Sequence, residues 1–164
     1  MTFNDQNRIE ISISDQKLFL MHGRTAVFEC EVSTALNGAG QLNGSGCTPL
    51  GKHRIRIKIG ENCPANTVFI GRRPTGEIYT PQLATQHPDR DWILTRILWL
   101  TGCESAFNRG TDVDSLRRYI YMHGTPATEP MGQPLSHGCI RMRNEDIITL
   151  FDLVEPGQNV IIKP

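Results

Sequence analysis

The nine residues PLSHGCIRM (134–142) set Cys139 between a glycine and an isoleucine, with His137 two residues before it and His123 farther upstream in YMHGTP. A thiol attacks only as thiolate, so it needs a base or a positive charge close by. His123 and His137 are the histidines near Cys139 in sequence, and the loop after His123 is long enough to return to its strand end and bring imidazole to sulfur. Gly138 has no Cβ, so backbone amides there approach a substrate closely. Successive N–H groups at such a turn form an oxyanion hole, where losing one donor costs about 10²–10³ in rate. No Asp or Glu lies beside His123 in sequence, so a backbone carbonyl, that of Gly124, is the candidate to orient the ring. The chemistry implied is acyl transfer through a cysteine. The plain alternative is a small buried hydrophobe, the commonest role of a free cysteine. Cys30, in the alternating AVFECEV, is read that way, and Cys47, Cys63 and Cys103 have no histidine in a suggestive position.

These groups must be placed by strands. In YIYMHG (119–124), Tyr119, Tyr121 and His123 share one face while Ile120 and Met122 point to the other. Tyr121, on the His123 face, is a candidate substrate contact. Upstream, RIEISIS (8–14), KLFLM (17–21) and AVFECEV (26–32) alternate with period two and read as an antiparallel meander. HRIRIKI (53–59) and TVFIG (67–71) read as further strands, and residues 35–51, rich in Gly, Asn and Pro, as loop. WILTRILWL (92–100) fits strand or buried helix equally, and residues 72–91 read as polar and turn-prone. Asn144 is the expected N-cap of a helix over EDIITLFDLV, stopped by Pro156-Gly157 and followed by a closing strand in QNVIIKP. The expected fold is mainly β, a sandwich or partly closed barrel with few short helices, in one domain spanning 1–164.

With 17 basic and 17 acidic residues in 164, the chain is formally neutral. That balance argues against a nucleic-acid or membrane-surface partner. No apolar run approaches the ~20 residues that span a bilayer. Five cysteines without CxxC pairs speak against a disulfide framework or a zinc ribbon, and no metal or other cofactor is expected. Oligomeric state is not legible.

The segment Ser136-His137-Gly138-Cys139-Ile140-Arg141, preceded by His123-Gly124-Thr125, resembles the active-site signature of the YkuD-type L,D-transpeptidase family. Ser33-Thr34-Ala35 followed by Thr48-Pro49-Leu50-Gly51-Lys52 is similar to a second block of that family. The resemblance implies a β-sandwich cradle over the cysteine and acyl transfer on peptidoglycan stem peptides. By it, Cys139 is nucleophile, His123 the base that later protonates the leaving amine, and Gly124 the orienting carbonyl. The amides of Gly138 and Cys139 would hold the oxyanion, with Ser136 and His137 lining the site. Departures are Arg141, where many members carry Asn, Ala35 for a frequent glycine, and His53 where an aromatic is common. Arg141 either grips a stem carboxylate with its planar fork or is a solvated charge in an RMRN turn. The insert with Gly71-Arg72-Arg73-Pro74 and Ile78-Tyr79 either forms a lid whose Arg72 or Arg73 meets substrate carboxylates or is an ordinary solvated loop.

The acceptor is the remaining choice. The start MTFNDQNRIEISIS lacks the pattern of an export signal, and scattered free thiols suit a reducing compartment, so a cytoplasmic location is expected, with a periplasmic one the alternative if an export signal has been removed. There the partner would be a stem tetrapeptide or muropeptide and the acceptor water, giving an L,D-carboxypeptidase of murein recycling. The alternatives are a transpeptidase with an amine acceptor, making 3–3 cross-links or anchoring proteins to the wall, and a muropeptide-binding module without catalysis.

Overall fold

The structure is a computed structural model and describes residues 5–164; residues 1–4 of the expected single domain lie outside the described residues. The opening meander forms as the alternation predicts: β1 (Asn7–Ser12), β2 (Lys17–His22) and β3 (Thr25–Glu31) pair antiparallel in turn. Then follow β4 (Gly51–Ile59), β5 (Thr67–Ile70), β6 (Arg73–Ile78), α1 (Pro81–Gln86), β7 (Ile93–Gly102) and a 3-10 turn at Thr111–Val113. β8 (Tyr121–Gly124), β9 (Ile140–Met142), α2 (Asn144–Leu153) and β10 (Asn159–Lys163) complete the chain.

The strands join one sheet in the order β3-β2-β1-β10-β4-β7, with β8 on the far edge of β7 and β9 parallel to β8. The β5–β6 hairpin adds to the N-terminal half of β7. The sheet nearly closes on itself. Ser33, just past β3, exchanges two backbone hydrogen bonds of 2.9 Å with Arg141 of β9. The result is the partly closed barrel of the sequence expectation, and closure removes most of the free edge that an open sheet would present.

The interior is apolar because alternate strand residues all face it. Ile9, Ile11, Leu18, Leu20, Leu98 and Met122 are fully buried there, and Ile147, Leu150 and Phe151 of α2 fill the same core. Burying one such side chain is worth about 1.5–3 kcal/mol relative to leaving it exposed. Lys58 of β4 donates to the carbonyls of Phe151 (2.6 Å) and Val154 (2.7 Å). It thereby satisfies orphan acceptors at the negative end of α2.

Three expectations change. The 92–100 segment is strand because pairing is available on both edges of β7, which outweighs its helix-compatible apolar run. The stretch 72–91 is not simply turns: it contains β6 and α1, the latter capped by Thr80 Oγ1 accepting from Leu83 N at 3.1 Å. Asn144 is not the N-cap of α2 but its first residue, with Arg143 at the cap. The Asn144 amide is drawn instead into the β7 bulge, accepting from Thr95 Oγ1 (2.6 Å) and donating to Asn66 Oδ1 (2.9 Å).

His53 is buried in β4, its Nδ1 3.0 Å from Gly51 O and its Nε2 2.8 Å from Ser115 Oγ. Burial lowers its pKa from 6.5 to about 4. Between those values the unfolded chain binds a proton that the folded one does not, so stability present above pH 6.5 is lost as pH falls. Urea unfolding is therefore expected to show a loss of about 2 kcal/mol between pH 7 and pH 4.5. A flat profile over that range in the native protein contradicts this placement of His53.

Candidate active site

β8 and β9 run parallel with Met122 opposite Ile140 and His123 opposite Arg141. Side chains alternate along both, so Tyr121, His123, Cys139 and Arg141 emerge on one face, and Cys139 stands diagonal to His123. Together with Ser136 and His137 they line a solvent-open cavity of about 250 Å³. Ile120 and Met122 go to the core on the other face, as the alternation predicts. Tyr119 also lines the cavity, but from a left-handed turn (φ 57°) before the strand rather than from the strand itself.

The cysteine loop is braced from behind. Thr48 Oγ1 donates to Gly138 O (2.9 Å) and accepts from Ala35 N (3.0 Å), while Ser136 N and Leu36 N bond Thr34 O and Ser136 O. Ser33 Oγ donates to Gln133 O and accepts from Leu135 N. The two sequence blocks flagged upstream thus serve as the scaffold of this loop. Gly138 has φ +133°, where an L side chain is strained, and a Cβ would lie 3.2 Å from Cys47 O.

The Cys139 sulfur accepts from Tyr121 N (3.3 Å) and its thiol donates to Tyr119 O (3.2 Å). Desolvation pushes the thiol up to about 12, against the opposing pull of the Tyr121 amide. His123 is buried, and its Nδ1 lies 2.6 Å from Gly124 O. A carbonyl only accepts, so Nδ1 carries the proton and Nε2 is left as the basic nitrogen. Burial lowers the His123 pKa below 6.5, partly offset by the Gly124 bond. Gly124 has no room for a side chain: a Cβ would overlap Asn144 Oδ1 and come within 2.6 Å of Leu94 O. A neutral thiol and a neutral, correctly tautomerised base share one face, an arrangement suited to nucleophilic attack with proton transfer.

Several expected roles change in detail. Gly138 N donates to Ser136 Oγ (3.2 Å), so it does not point into the cavity as an oxyanion donor. Ser136 Oγ in turn donates to Cys139 O (2.5 Å), which makes it a brace of the loop. His137 is exposed at the cavity mouth, 3.5 Å from Asp91 Oδ2. Arg141 is no solvated turn residue: it is buried in β9, its guanidinium shared by Asp91 (3.3 Å) and Glu129 (3.5 Å). The guanidinium is already partnered by protein carboxylates, so a grip on a stem carboxylate would have to displace or share them.

The insert divides in two. Arg73 is exposed on β6, whereas Arg72, in the β5–β6 turn at φ 64°, enters the cavity wall. Its guanidinium lies over the rings of Tyr119 (4.7 Å) and Trp99 (5.0 Å) and donates to Tyr121 Oη (3.2 Å). Asp91 and Glu129 were missed from sequence because nothing local marks a distant carboxylate as the partner of a buried arginine. A lone arginine beside the cysteine was the one signal that such partners had to exist.

The protein-family model described as the L,D-transpeptidase catalytic domain matches residues 6–162. Among curated proteins, the probable L,D-transpeptidase YbiS of Escherichia coli is 31% identical over 104 residues, 63% of this chain and 34% of that protein. The putative L,D-transpeptidase YqjB of Bacillus subtilis is 39% identical over 54 residues, 33% of this chain and 28% of its own. These alignments span about a third of the relatives' length. Among solved structures, L,D-transpeptidase 3 from Mycobacterium tuberculosis with a faropenem-derived adduct superposes at TM-score 0.57 and 17% identity, over 97% of this chain and 60% of that one. An L,D-transpeptidase from Xylanimonas cellulosilytica gives TM-score 0.56 at 16% identity, over 99% and 64%. At such identities the structures show the shared fold.

Thr48 is fully buried, and its hydroxyl serves two backbone groups. Thr48→Val is expected to destabilise the protein by about 2 kcal/mol or more, since each orphaned buried group costs about 1–3 kcal/mol. Urea denaturation at pH 7 checks this; a change within about 0.5 kcal/mol, the range of a surface substitution, would show that the hydroxyl does not brace the loop.

Proposed function

The chain belongs to the L,D-transpeptidase catalytic-domain family, and from that premise we propose that it cleaves the L,D bond of a peptidoglycan stem tetrapeptide through a Cys139 acyl-enzyme. The observation that carries this reading is the shared face of Cys139 and His123, with the His123 tautomer fixed by Gly124 O.

In this mechanism the substrate carbonyl settles over the sulfur and displaces the thiol from Tyr119 O. His123 Nε2 takes the thiol proton as sulfur attacks the carbonyl of the stem's third residue. Because burial disfavours charge on both partners, a resting thiolate–imidazolium pair is not stored; proton transfer accompanies attack. The tetrahedral oxyanion is met by the Cys139 amide and by the Tyr121 phenol. Tyr121 Oη accepts from Arg72, so its own proton is available to donate. The C–N bond then breaks, the imidazolium protonates the leaving D-Ala amine, and a thioester remains. Water, deprotonated by His123, attacks the thioester and returns the thiolate, which regains its proton.

Water is the acceptor in this reading because the cavity is open and solvent reaches the thioester without a second binding event. The protein would thus act as an L,D-carboxypeptidase on stem tetrapeptides or muropeptides, in the cytoplasm; its five free cysteines support a reducing compartment. One observation favours an amine acceptor as second reading. A neighbouring cavity of about 190 Å³ shares Asp91, His137 and Arg141 with the first and adds Asp89, an acid suited to an ammonium group, beside Arg90 and the Arg141-paired Glu129.

Purified tetrapeptide is expected to yield tripeptide and free D-Ala, with and without an added amine acceptor. Formation of cross-linked dimer alone selects the second reading, and no product of either kind refutes both. Turnover should fall as pH drops through a value below 6.5, where His123 takes a proton. A carbapenem should add its mass to Cys139, and Cys139→Ala should abolish both adduct and turnover. An adduct that persists in Cys139→Ala would place the nucleophile elsewhere.

A further inference from the structure

A second concavity, about 710 Å³, lies outside the cysteine site and shares no lining residue with it. Four arginines converge there: Arg54 and Arg56 from β4, and Arg109 and Arg117 from the segment that follows β7. Asp114 is the sole carboxylate lining it among the described residues. Its oxygens are already occupied by the amides of Gly110 (2.7 Å) and Arg117 (3.0 Å). Arg54 donates to Asn159 Oδ1 at 3.3 Å. Arg56, Arg109 and Arg117 are exposed, and among the described residues their guanidinium groups have neither ion pair nor hydrogen bond.

Elsewhere Arg8, Arg90, Arg141 and Arg143 each pair with a carboxylate, and the whole chain is neutral with 17 charges of each sign. Four guanidinium groups around one concavity face a single lining carboxylate, Asp114, among the described residues, and a ligand of opposite sign would relieve the remaining repulsion. Leu116 and Pro156 add apolar lining. The volume falls within the ~300–1,000 Å³ of small-molecule sites. Guanidinium forks bind phosphate oxygens in pairs and favour planar, bidentate contact. One phosphate accommodates about two such forks, so the three exposed forks of Arg56, Arg109 and Arg117 exceed what one phosphate takes and match two phosphates joined together.

We propose that this cleft is a binding site for a ligand carrying two linked phosphate groups. It opens on the same side of the sheet as the cysteine cavity. Thr101, which pairs with Arg54, shares its strand face with Trp99 and Ile97, and these pair with Tyr121 and His123. Trp99 stands between the two sites, its Nε1 donating to Leu116 O at 3.0 Å. The site is independent of the acyl-transfer reading: its ligand can be held whether or not Cys139 turns over.

Calorimetric titration with inorganic pyrophosphate, at an ionic strength of about 0.1 M where screening acts over about 10 Å, tests it. Native protein is expected to bind saturably, and the Arg56→Gln/Arg117→Gln variant at least about tenfold more weakly, as loss of two charge-assisted contacts requires. Both positions are exposed, and Arg109→Gln in a different loop provides a second variant should the double one unfold. Acylation of Cys139 by a carbapenem should be unchanged in each variant. Absence of saturable binding, undiminished binding by the variants, or equal affinity for citrate overturns the proposal. ADP binding with the same sensitivity would assign a soluble diphosphate ester. Variant-sensitive sedimentation with phosphatidylcholine vesicles carrying a prenyl diphosphate, but not with phosphatidylcholine alone, would assign a lipid diphosphate headgroup as the source of the phosphates.

Discussion

Strand β9 is three residues long, yet the site depends on it being held from both sides. On one edge it pairs parallel with β8; on the other Arg141 exchanges both backbone bonds with Ser33. So short a strand has little stability of its own. Its position comes from closure of the sheet, which joins the start of the chain to its last third. Cys139 enters this strand from Gly138, whose left-handed conformation is fixed by Thr48 behind it. The register that sets Cys139 beside His123 is thus a consequence of barrel closure rather than of local sequence.

Electrostatics follow from the same packing. His123 is buried and Cys139 half-buried, and desolvation disfavours the charged form of both, raising the thiol pKa and lowering that of the imidazole. The buried charge beside them, Arg141, is balanced by Asp91 and Glu129. Removing both acids would leave a guanidinium uncompensated two residues from Cys139, a large penalty for a buried ion. Arg141 therefore keeps the wall of the cavity in place by being paired. His137 joins the same cluster through Asp91, at the mouth.

The period-two alternation made the meander, β4 and β8 legible, because each strand presents one face to an apolar core and the pattern is local. The division of Tyr121 and His123 from Ile120 and Met122 followed from the same rule. β7 was ambiguous since a strand paired on both edges and buried carries no alternation. Asn144 misled because its amide, free to cap by sequence rules, found better partners in Thr95 and Asn66 across the fold. The Gly138 amide likewise read as an oxyanion donor until the structure showed it bonded to Ser136. Cys139, His123 and Gly124 stand out in the sequence because they lie within one loop and its flanking strands, and the structure brings Cys139 and His123 to one face with His123 Nδ1 on Gly124 O. Asp91, Glu129 and the stacking of Arg72 on Trp99 and Tyr119 were not, since they arise only from tertiary contact.

The central claim is that the sulfur of Cys139 carries the acyl group while His123 moves the protons. Rapid acid quench of the protein mixed with stem tetrapeptide, followed by peptide mapping, reads this directly. The account predicts a tripeptide thioester on the peptide containing Cys139, with D-Ala equal to that thioester plus the tripeptide already released, and none of these in His123→Ala at pH 7. An acyl group on another residue, or D-Ala released at the native rate by His123→Ala, would contradict it.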